Sequence, residues 1–560
     1  MADIIVRQVD KGFWARARDA ADLKSGSAAD GSQNVLYSRG TIKTPFGFDK
    51  VESGSLPLDS GNPVLGMYPY TELDKTQHFL AVTNDTIQKR DTQNSEWDDL
   101  TQSGVPLGAN IFNPISFASI LHTDGIKLNG IGDDWYHHCL VSNGGVTAVQ
   151  RWAGKFETNF ADLAGADGYH DAASGRTTHF AGQVISFYNH VILMNPKIAN
   201  AANNLVENNQ RLQWSASGKL ELWSGQTAGN TNLVDTGGYN MWTAHLGNQL
   251  ICYQNNSIYS LNHIGGTSVF SVRLEMPDLG LLAPHLVYSK RNVHYFLGND
   301  YNLYRYYGGA NTEIISRGIQ RYIERDLDTA YQDRCWIAMG AENSRLWLFI
   351  VPNNSTYITQ AYGIDMVTGK WMKRDYLHKW PTGGITSIAL VGASTSESGQ
   401  SYAELLATGQ TYAQLVTAGT TYRQLVQTTL AKERLALGDN GGNVYQYDSS
   451  ATQDDSVDIP TIHITEVLDG GEPAKSKLWP GLHITAKGTN ITVSYRTTSF
   501  ETTGTGWTSL GTTALTSEFA DYFLVVNDTS KKIQFKFHHT ADDWSVSNYV
   551  IQEPQLQGDI

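Results

Sequence analysis

The sequence is poor in charged residues. Lys, Arg, Asp and Glu make up only 17% of its 560 residues, below the share of about a quarter that is usual for soluble domains. Hydroxyl and amide side chains must therefore solvate much of the surface, as is typical of proteins in assembled particles. The formal net charge of −14 disfavours wrapping a polyphosphate. It leaves open an acidic channel that repels DNA and lets it slide.

Cysteine is also scarce. Cys139, Cys252 and Cys335 are the three in the chain, and they are widely spaced with no Cys-x-x-Cys pair. This pattern indicates neither a disulfide framework nor a zinc site. We expect all three thiols to be small buried apolar groups.

Long apolar runs and a secretion signal are missing too. The N-terminus, Met1 to Trp14, has no apolar core of the kind that a signal peptide needs. No window approaches the roughly 18 apolar residues of a membrane-spanning helix. We therefore expect a protein that is made and kept in a cytoplasm and has no membrane partner.

The motifs of enzymes are absent as well. There is no Gly-x-Ser-x-Gly, no His-Glu-x-x-His, no phosphate-binding glycine loop and no EF-hand pattern. Among 55 acidic residues, no two stand out as the paired carboxylates of a glycoside hydrolase. The sequence thus predicts a protein that is not an enzyme. It names no catalytic, cofactor-binding or metal-binding residue and no cofactor.

Two patterns could hold a metal but are better explained by structure. His137-His138 and His538-His539 are adjacent pairs in strand-like sequence, where neighbouring side chains point to opposite faces. The run Gly438 to Asn443 concentrates the oxygens that calcium prefers. Asparagine and glycine also supply the positive φ of a hairpin turn without any metal. We predict structural roles for all of these residues.

Glycine and aromatic residues, by contrast, are abundant. The chain has 53 Gly, 28 Tyr and 14 Trp, which favours strands and turns over helices. An alternating apolar run, a Gly/Asn/Asp turn and a returning run with Tyr or Trp recur seven times, as in β-hairpins. The units are His78 to Arg90, Cys139 to Trp152, Arg211 to Trp223, Gly247 to Leu261, Asn292 to Gly309, Arg345 to Asp375 and Arg434 to Asp448.

The spacing of these units predicts an all-β fold of the propeller type. It is near the length of a four-stranded propeller blade, and blades that cannot bury both faces alone are expected to stack into a closed ring. We expect about six to eight blades in residues 65–450, after an N-terminal arm and first propeller strand in residues 1–64. A stack of β-sandwiches with similar hairpins is the alternative.

Two later segments have their own character. Residues 401–427 repeat a ten-residue unit three times, with Tyr402, Tyr412 and Tyr422 in step. We interpret them as an insertion that either contacts a neighbouring subunit or packs locally on the surface. After a linker rich in Asp, Ser and Thr, longer alternating strands predict a C-terminal β-sandwich over residues 451–560. These strands are Ile459 to Val467, Gly481 to Ser499, Tyr522 to His539 and Tyr549 to Gly558.

The N-terminal segment Asp19 to Val51 resembles the opening of a family of phage proteins. In that family a polar stretch leads to an Asn and an apolar strand, followed by a turn with a basic residue, Gly, Pro and an aromatic residue. Those positions are held here by Asn34, Val35, Gly40, Lys43, Pro45, Phe46 and Gly47. The family is that of the tail nozzle or hub proteins of tailed bacteriophages, also called packaged-DNA stabilisation proteins.

Later segments are similar to the late blades and terminal hairpins of the same family. They are Asn302 to Ile323, Ser344 to Asn353, Tyr362 to Asp375 and Tyr495 to Gly511. The resemblance implies a virion structural protein that forms a ring, a homohexamer, below the portal and adaptor of the phage neck or tail. Such a ring would retain packaged DNA and form part of the ejection channel, with double-stranded DNA passing through it without sequence-specific binding. The insertion at residues 401–427 departs from the family's pattern.

Two other functions are alternatives. A carbohydrate-binding tail protein that recognises a receptor would use exposed aromatic side chains as stacking platforms. Trp223, Trp371 and Trp507 are the candidates, and packing in the core is the competing role for each. A propeller glycoside hydrolase is the third possibility, because one fold hosts many chemistries. The sequence names no residue for it.

Overall fold

The structure is a computed structural model. It describes residues 4–7, 28–38, 40–51, 61–72, 76–91, 96–102, 107–123, 135–163, 178–199, 205–266, 268–340, 344–392, 433–448, 451–470, 473–500, 506–552 and 554–556. Within them the chain is almost entirely strands and turns. One α-helix, α1 (Gln320–Asp326), and single 3-10 turns at Gly154–Phe156 and Thr329–Arg334 are the helices of this part. No helix in it is long and apolar enough to cross a membrane. The all-β prediction is confirmed.

The strands begin with four short ones near the N-terminus, followed by seven sheets that we call blades 1 to 7. The N-terminal strands are β1 (Ile4–Arg7), β2 (Leu36–Ser38), β3 (Thr41–Lys43) and β4 (Phe48–Lys50). Blade 1 has β5 (Gly66–Thr71), β6 (Gln77–Val82), β7 (Ile87–Asp91) and β8 (Glu96–Asp99). Blade 2 has β9 (Ile115–Thr123), β10 (Trp135–Asn143), β11 (Gln150–Trp152) and β12 (Ala161–Asp162). Blade 3 has β13 (Ala181–Phe187), β14 (His190–Ala199), β15 (Leu205–Glu207), β16 (Arg211–Trp214) and β17 (Gly229–Asn232).

Blades 4 to 7 follow in the same manner. Blade 4 has β18 (Asn240–Leu246), β19 (Gln249–Gln254), β20 (Ser257–His263) and β21 (Phe270–Pro277). Blade 5 has β22 (Val287–Lys290), β23 (Val293–Leu297), β24 (Leu303–Tyr306) and β25 (Thr312–Ile314). Blade 6 has β26 (Trp336–Met339), β27 (Arg345–Ile350), β28 (Gln360–Asp365) and β29 (Trp371–Asp375). Blade 7 has β30 (Ile385–Gly392), β31 (Glu433–Asp439) and β32 (Val444–Tyr447).

The remaining strands belong to the C-terminal part. They are β33 (Gln453–Asp454), β34 (Val457–Asp458), β35 (Thr461–Ile464), β36 (Lys477–Gly488), β37 (Asn490–Arg496), β38 (Thr508–Ala514), β39 (Ala520–Ser530), β40 (Gln534–His539), β41 (Trp544–Gln552) and β42 (Gln555–Leu556).

The seven blades form a closed ring. The first strand of each blade contacts the first strand of the next, and β30 of blade 7 contacts β5 of blade 1. Each blade is an antiparallel sheet whose strands lie in sequence order from the first strand outward, with β15 added beside β14 in blade 3. This arrangement is that of a β-propeller with seven blades, which lies within the predicted range.

Blade 7 takes its fourth strand from the other end of the chain. Strand β4 pairs with β32 in the register Phe48 to Tyr447 and Lys50 to Tyr445. Strand β33 then pairs with β4 on its outer side, through Asp454 and Phe48. The ring is therefore closed by a strand that the chain makes before any blade.

Burial within a blade follows from its position between two neighbours. All six residues of β27, the second strand of blade 6, are buried. By contrast, the outer strand β25 of blade 5 has no buried residue. Tight turns join the strands, as at Arg291 and Asn292, which both have positive φ between β22 and β23. Such a turn matches the twist of the flanking strands.

Each of the seven predicted hairpin units lies in a different blade, but one of them is not a hairpin. In Arg211 to Trp223, strand β16 ends at Trp214, and the residues that follow form no strand. Leu220 and Trp223 are buried from irregular backbone, and β16 pairs with the later strand β17. The apolar alternation there reflects burial and not strand pairing, so this hairpin prediction is wrong.

The predicted insertion at residues 401–427 lies outside the described residues. Its flanking strands, β30 and β31, pair with each other from Ile385 with Asp439 to Gly392 with Glu433. The repeat therefore interrupts the first hairpin of blade 7.

The C-terminal strands form two sheets. The larger has the order β2-β3-β41-β36-β39, with β1 beside β41 and β42 beside β36, and the smaller has the order β35-β40-β37-β38. Contacts join them: the Trp544 indole N–H donates to the Thr461 hydroxyl at 2.8 Å, and the Tyr549 and Phe537 rings lie 5.6 Å apart. Strand β38 was not among the strands predicted from alternation, but its pairing with β37 through Tyr495 and Thr508 falls in the segment Tyr495 to Gly511 that is similar to the family's terminal hairpins. The predicted sandwich is taken up below as part of the proposed function.

Candidate functional site

The axis of the ring is lined by the first strand of each blade. None of these seven strands contains an aspartate or a glutamate; they are β5, β9, β13, β18, β22, β26 and β30. Amides, hydroxyls and rings link neighbouring blades instead. The Gln183 side-chain oxygen, Oε1, accepts from the Thr243 N–H and from the Thr243 hydroxyl, both at 2.8 Å. Tyr68 stacks on Phe117 with ring centroids 5.0 Å apart. These seven strands therefore supply no carboxylate to the axis.

One mouth of the axis lies where the inner strands begin. A small cavity there is lined by Leu65, Ile111, Asn113, Pro114, His285, Asp333, Arg334, Trp336 and Thr386. The Arg334 guanidinium lies over the rings of Tyr331 at 4.6 Å and Phe112 at 4.7 Å. Burial lowers the pKa of Arg334 and raises that of Asp333. Arg334 is thus held against protein, whereas Asp333 is exposed at this mouth.

A stacked pair of rings lies at the same mouth. His285 lies parallel to Trp336 with centroids 3.8 Å apart, and Trp242 meets the same imidazole edge-on at 4.8 Å. Burial lowers the pKa of His285 to about 3. This histidine is therefore neutral near pH 7 and serves as a core aromatic ring.

The opposite mouth lies where the inner strands end, and it contains an open cleft of about 450 Å³. The cleft is lined by the end of β9 and by the turns after β13 and β18, with residues Ser119, Ile120, Leu121, Ser186, Phe187, Tyr188, Asn189, His245, Gly247 and Asn248. Desolvation lowers the pKa of His245, opposed by a hydrogen bond to the Ser186 backbone. The lining carries no formally charged side chain.

A third candidate region is the junction between the propeller and the C-terminal part. Residues 28–38 and 40–51 join the two, and we call them the N-terminal clamp. Asn34 lies at its centre, buried and with φ of 55°. Its N–H donates to the Lys373 carbonyl at 2.9 Å, and its side-chain oxygen accepts from the Asp375 N–H at 2.8 Å. Its amide nitrogen donates to the Pro460 carbonyl at 2.9 Å. One residue thus links blade 6 to the segment before β35.

The clamp also packs tightly at two further points. Gly47 has no room for a side chain, because a Cβ there would lie 1.7 Å from the Gln453 carbonyl oxygen. Phe48 is fully buried, with the rings of Trp380 and Tyr445 each at 5.4 Å. The residues quoted for the family resemblance therefore include those that join the two parts of the chain.

Beside the clamp, a buried ion pair joins blade 6 to β33. The Arg374 guanidinium contacts both oxygens of Asp454 at 2.7 Å, and the His378 ring contacts the same carboxylate at 2.8 Å. The Arg374 and Asp454 side chains are 2% and 0% exposed. Burial opposes the charge of Arg374, but Asp454 and nearby tyrosines outweigh it and raise the pKa of the guanidinium.

The cysteine prediction is confirmed. Cys139, Cys252 and Cys335 are all free and buried. Burial raises the pKa of each thiol above its usual value, which makes them poor nucleophiles and poor metal ligands.

The two histidine pairs have separate partners. His137 contacts the Thr71 carbonyl at 2.6 Å, whereas its neighbour His138 is buried. His538 contacts the Ser494 hydroxyl at 3.1 Å, and His539 lies 3.4 Å from Asp542. Among the described residues, no group of three His, Cys, Asp or Glu could hold a metal ion.

Asp439, in the run Gly438 to Asn443, is a turn-closing carboxylate. One of its oxygens accepts from the backbone N–H groups of Gly441 at 2.9 Å and Asn443 at 2.8 Å. The other accepts from the Tyr445 hydroxyl at 3.0 Å. Both oxygens of Asp439 therefore bind groups of the turn and of the strand that follows it. This is the hairpin turn that was predicted for the run.

Two of the three candidate tryptophans are in the core. Trp223 is 1% exposed and Trp371 is 3% exposed, so neither is a stacking platform. Trp507 is partly buried, with the Arg496 guanidinium at 4.5 Å and the Lys536 ammonium at 5.0 Å over its ring. Sequence reasoning missed Tyr188, Arg374 and Asp454. For Tyr188 the sequence offers one local signal, the following Asn189, which is a residue typical of tight turns. The ion pair of Arg374 and Asp454 joins segments that are far apart in the chain, and no sequence pattern indicates it.

A scan against family models finds no match for this sequence, and a search of curated proteins finds none either. Solved structures match it weakly. YCF48 bound to D1 peptide is 10% identical with a TM-score of 0.37, and the match covers 70% of this chain and 96% of that chain. A glycoside hydrolase family 43 arabinoxylan arabinofuranohydrolase from Bacillus subtilis is 8% identical with a TM-score of 0.24, covering 98% of this chain and 100% of that one.

An extracellular domain assigned to a one-component system of B. thetaiotaomicron is also similar. It is 8% identical with a TM-score of 0.37, and the match covers 94% of this chain but 64% of that chain. Similarity at this level carries no functional information, so the propeller assignment stands on the strand order alone.

Proposed function

We propose that this chain is a virion structural protein, a ring-forming subunit of the neck or tail of a tailed bacteriophage, and not an enzyme. In this role copies of the chain assemble into a ring, a homohexamer, against the portal, adaptor and other tail proteins. The ring retains packaged double-stranded DNA and forms part of the ejection channel. The DNA passes without sequence-specific contacts, and the work of the protein is mechanical.

The N-terminal clamp is the observation that carries this proposal. Strands β2 and β3 lie in the larger C-terminal sheet, whereas β4 completes blade 7. The segment from Leu36 to Lys50 therefore joins the C-terminal part at one end and the propeller at the other. A ring that withstands the pressure of packaged DNA needs subunits whose parts are firmly joined. The clamp also contains the N-terminal residues on which part of the resemblance to tail nozzle proteins rests.

The C-terminal sheets complete the proposed subunit. We take the two sheets as a β-sandwich, because Trp544, Tyr549 and Phe537 are buried where the two sheets meet. Such a domain, rigidly attached, offers the ring a second contact surface beside the blades.

The axis of the propeller argues against a hydrolase. A glycosidase needs two carboxylates about 5 to 10 Å apart across its site, and the inner strands supply none. Incubating the purified chain with soluble polysaccharides should release no reducing ends above a heat-denatured control. Glycan cleavage that a single Asp or Glu substitution abolishes would overturn the non-enzymatic part of the proposal.

Quantitative mass spectrometry of purified phage particles tests the location. We expect peptides of this chain in a fixed ratio to the portal protein, at or below the portal's copy number. Particles washed at high salt should keep the ratio, because a ring subunit is part of the particle and not an adsorbed contaminant. Absence of the chain from particles would overturn the virion proposal.

A further inference from the structure

The open cleft at the mouth where the inner strands end contains a tyrosine in an unusual backbone conformation. Tyr188 and Asn189 form the turn between β13 and β14, with φ of 45° and 61°. Asparagine and glycine adopt positive φ readily, whereas a bulky side chain does so at a cost. Strained residues of this kind cluster at binding sites. The turn thus places an aromatic ring at the edge of the cleft, at a position where an Asn-Gly pair would adopt the same backbone conformation at lower cost.

The Tyr188 ring is held in place and remains accessible. It stacks on His263 with centroids 4.5 Å apart and an interplanar angle of 13°. The Phe187 ring meets it edge-on at 4.8 Å. The Tyr188 side chain is nevertheless 46% exposed. The stacked and perpendicular neighbours hold the ring in place, and its exposed part gives a fixed aromatic platform at the cleft.

The rest of the lining carries no formal charge and mixes polar with apolar residues. Ser119, Ser186 and Asn248 bring hydroxyl and amide groups to the cleft. The Asn189 amide is engaged by backbone groups of two other segments, because it lies between the Leu121 carbonyl and the Gly218 N–H. The volume of about 450 Å³ falls within the range of small-molecule sites. A neutral ligand with many hydroxyls fits this chemistry better than an ion.

We propose that this cleft binds a neutral saccharide, with one sugar ring stacked on the exposed Tyr188 ring. Ser119, Ser186 and Asn248 donate to and accept from the sugar hydroxyls, which is the combination of apolar platform and few polar groups that orients ligands in pockets. The inference does not depend on the proposed place of the chain in a virion. In this proposal Tyr188, and not one of the tryptophans named from the sequence, is the stacking platform for a glycan.

Saturation transfer difference NMR with the purified full-length chain tests the cleft directly. The probes are neutral mono- and disaccharides built from glucose, galactose, mannose, rhamnose and N-acetylglucosamine. We expect saturation transfer to the ring protons of at least one probe. Tyr188→Asn should weaken its binding by at least about fivefold, since asparagine accepts the positive φ and keeps the turn but removes the ring.

A second tyrosine provides the matched control. Tyr239 is 48% exposed and does not line the cleft, so Tyr239→Ala should leave binding unchanged. Failure of every probe to receive saturation would overturn the inference, as would equal binding by the wild type and Tyr188→Asn. Stronger transfer to a neutral tripeptide probe than to any sugar would instead assign the cleft to a peptide.

Discussion

Removing the charge of Asp454 should destabilise the protein far more than removing that of its neighbour Asp455. In Asp454→Asn the Arg374 guanidinium stays buried without its counter-charge, because its side chain is only 2% exposed. Breaking one partner of such a pair costs about 3 to 5 kcal/mol, a large part of the roughly 5 to 15 kcal/mol that stabilises a typical protein.

Asp455→Asn is a control one residue away. Asp455 pairs with Lys379 at 2.6 Å, but its side chain is 31% exposed, and such pairs contribute at most about 1 kcal/mol. The double variant Arg374→Met with Asp454→Leu should recover most of the loss, since replacing both charges by apolar groups is often neutral.

Equilibrium unfolding in guanidinium chloride, followed by tryptophan fluorescence, measures these differences. The chain has several parts, so the midpoint of the first transition is compared before any free energy is derived. Equal midpoints for Asp454→Asn and Asp455→Asn would refute the reasoning, because they would mean that the buried carboxylate does not compensate Arg374.

Three further predictions concern the clamp and the core. Gly47→Ala should cost about 3 kcal/mol in chemical unfolding, because a Cβ there meets the Gln453 carbonyl oxygen at 1.7 Å; a loss of under 1 kcal/mol would show that the two segments separate easily. Asn34→Gly keeps the positive φ but deletes two side-chain hydrogen bonds, so it should cost about 2 kcal/mol, and an unchanged midpoint would contradict the clamp. His285 has a pKa of about 3 in the folded protein and an ordinary pKa of about 6.5 in the unfolded chain. Between these two pH values the imidazole takes up a proton only when the protein unfolds. The free energy of unfolding is therefore unaffected by His285 above about pH 6.5 and falls as the pH drops from about 6.5 to 3. The slope is up to about 1.4 kcal/mol per pH unit. His285→Phe should flatten it, and an unchanged slope would show that other groups govern the acid response.

The blades could be predicted from the sequence because their hairpins are local. Alternating burial and turn residues lie within one run of sequence, as at Gly247 to Leu261, where β19 and β20 follow each other. The same logic failed at Trp223, which is buried from irregular backbone. An alternating apolar pattern indicates which side chains are buried, but buried side chains can come from irregular backbone as well as from paired strands.

The candidate sites could not be predicted, because they join residues that are far apart in the chain. Asp454 lies in what the sequence presents as a polar linker, and nothing near it indicates that Arg374 is its partner. Tyr188 is one of 28 tyrosines, and its positive φ becomes visible only once the turn between β13 and β14 is placed. Long-range pairing and backbone conformation are properties of the fold and not of a local pattern.

The closing strand has a consequence for how the protein is made. Phe48 cannot pair until Tyr447 has been synthesised, and Ile42 must wait for Val546. At about 5 to 20 residues per second, the roughly 400 residues between the first pair take about 20 to 80 s to translate. During that time β4 has no partner, and the ring stays open on the ribosome. Contacts of such high sequence separation also form slowly. A chain cut short before its last blade would therefore lack a closed ring, which withholds incomplete copies from any assembly that recognises the finished body.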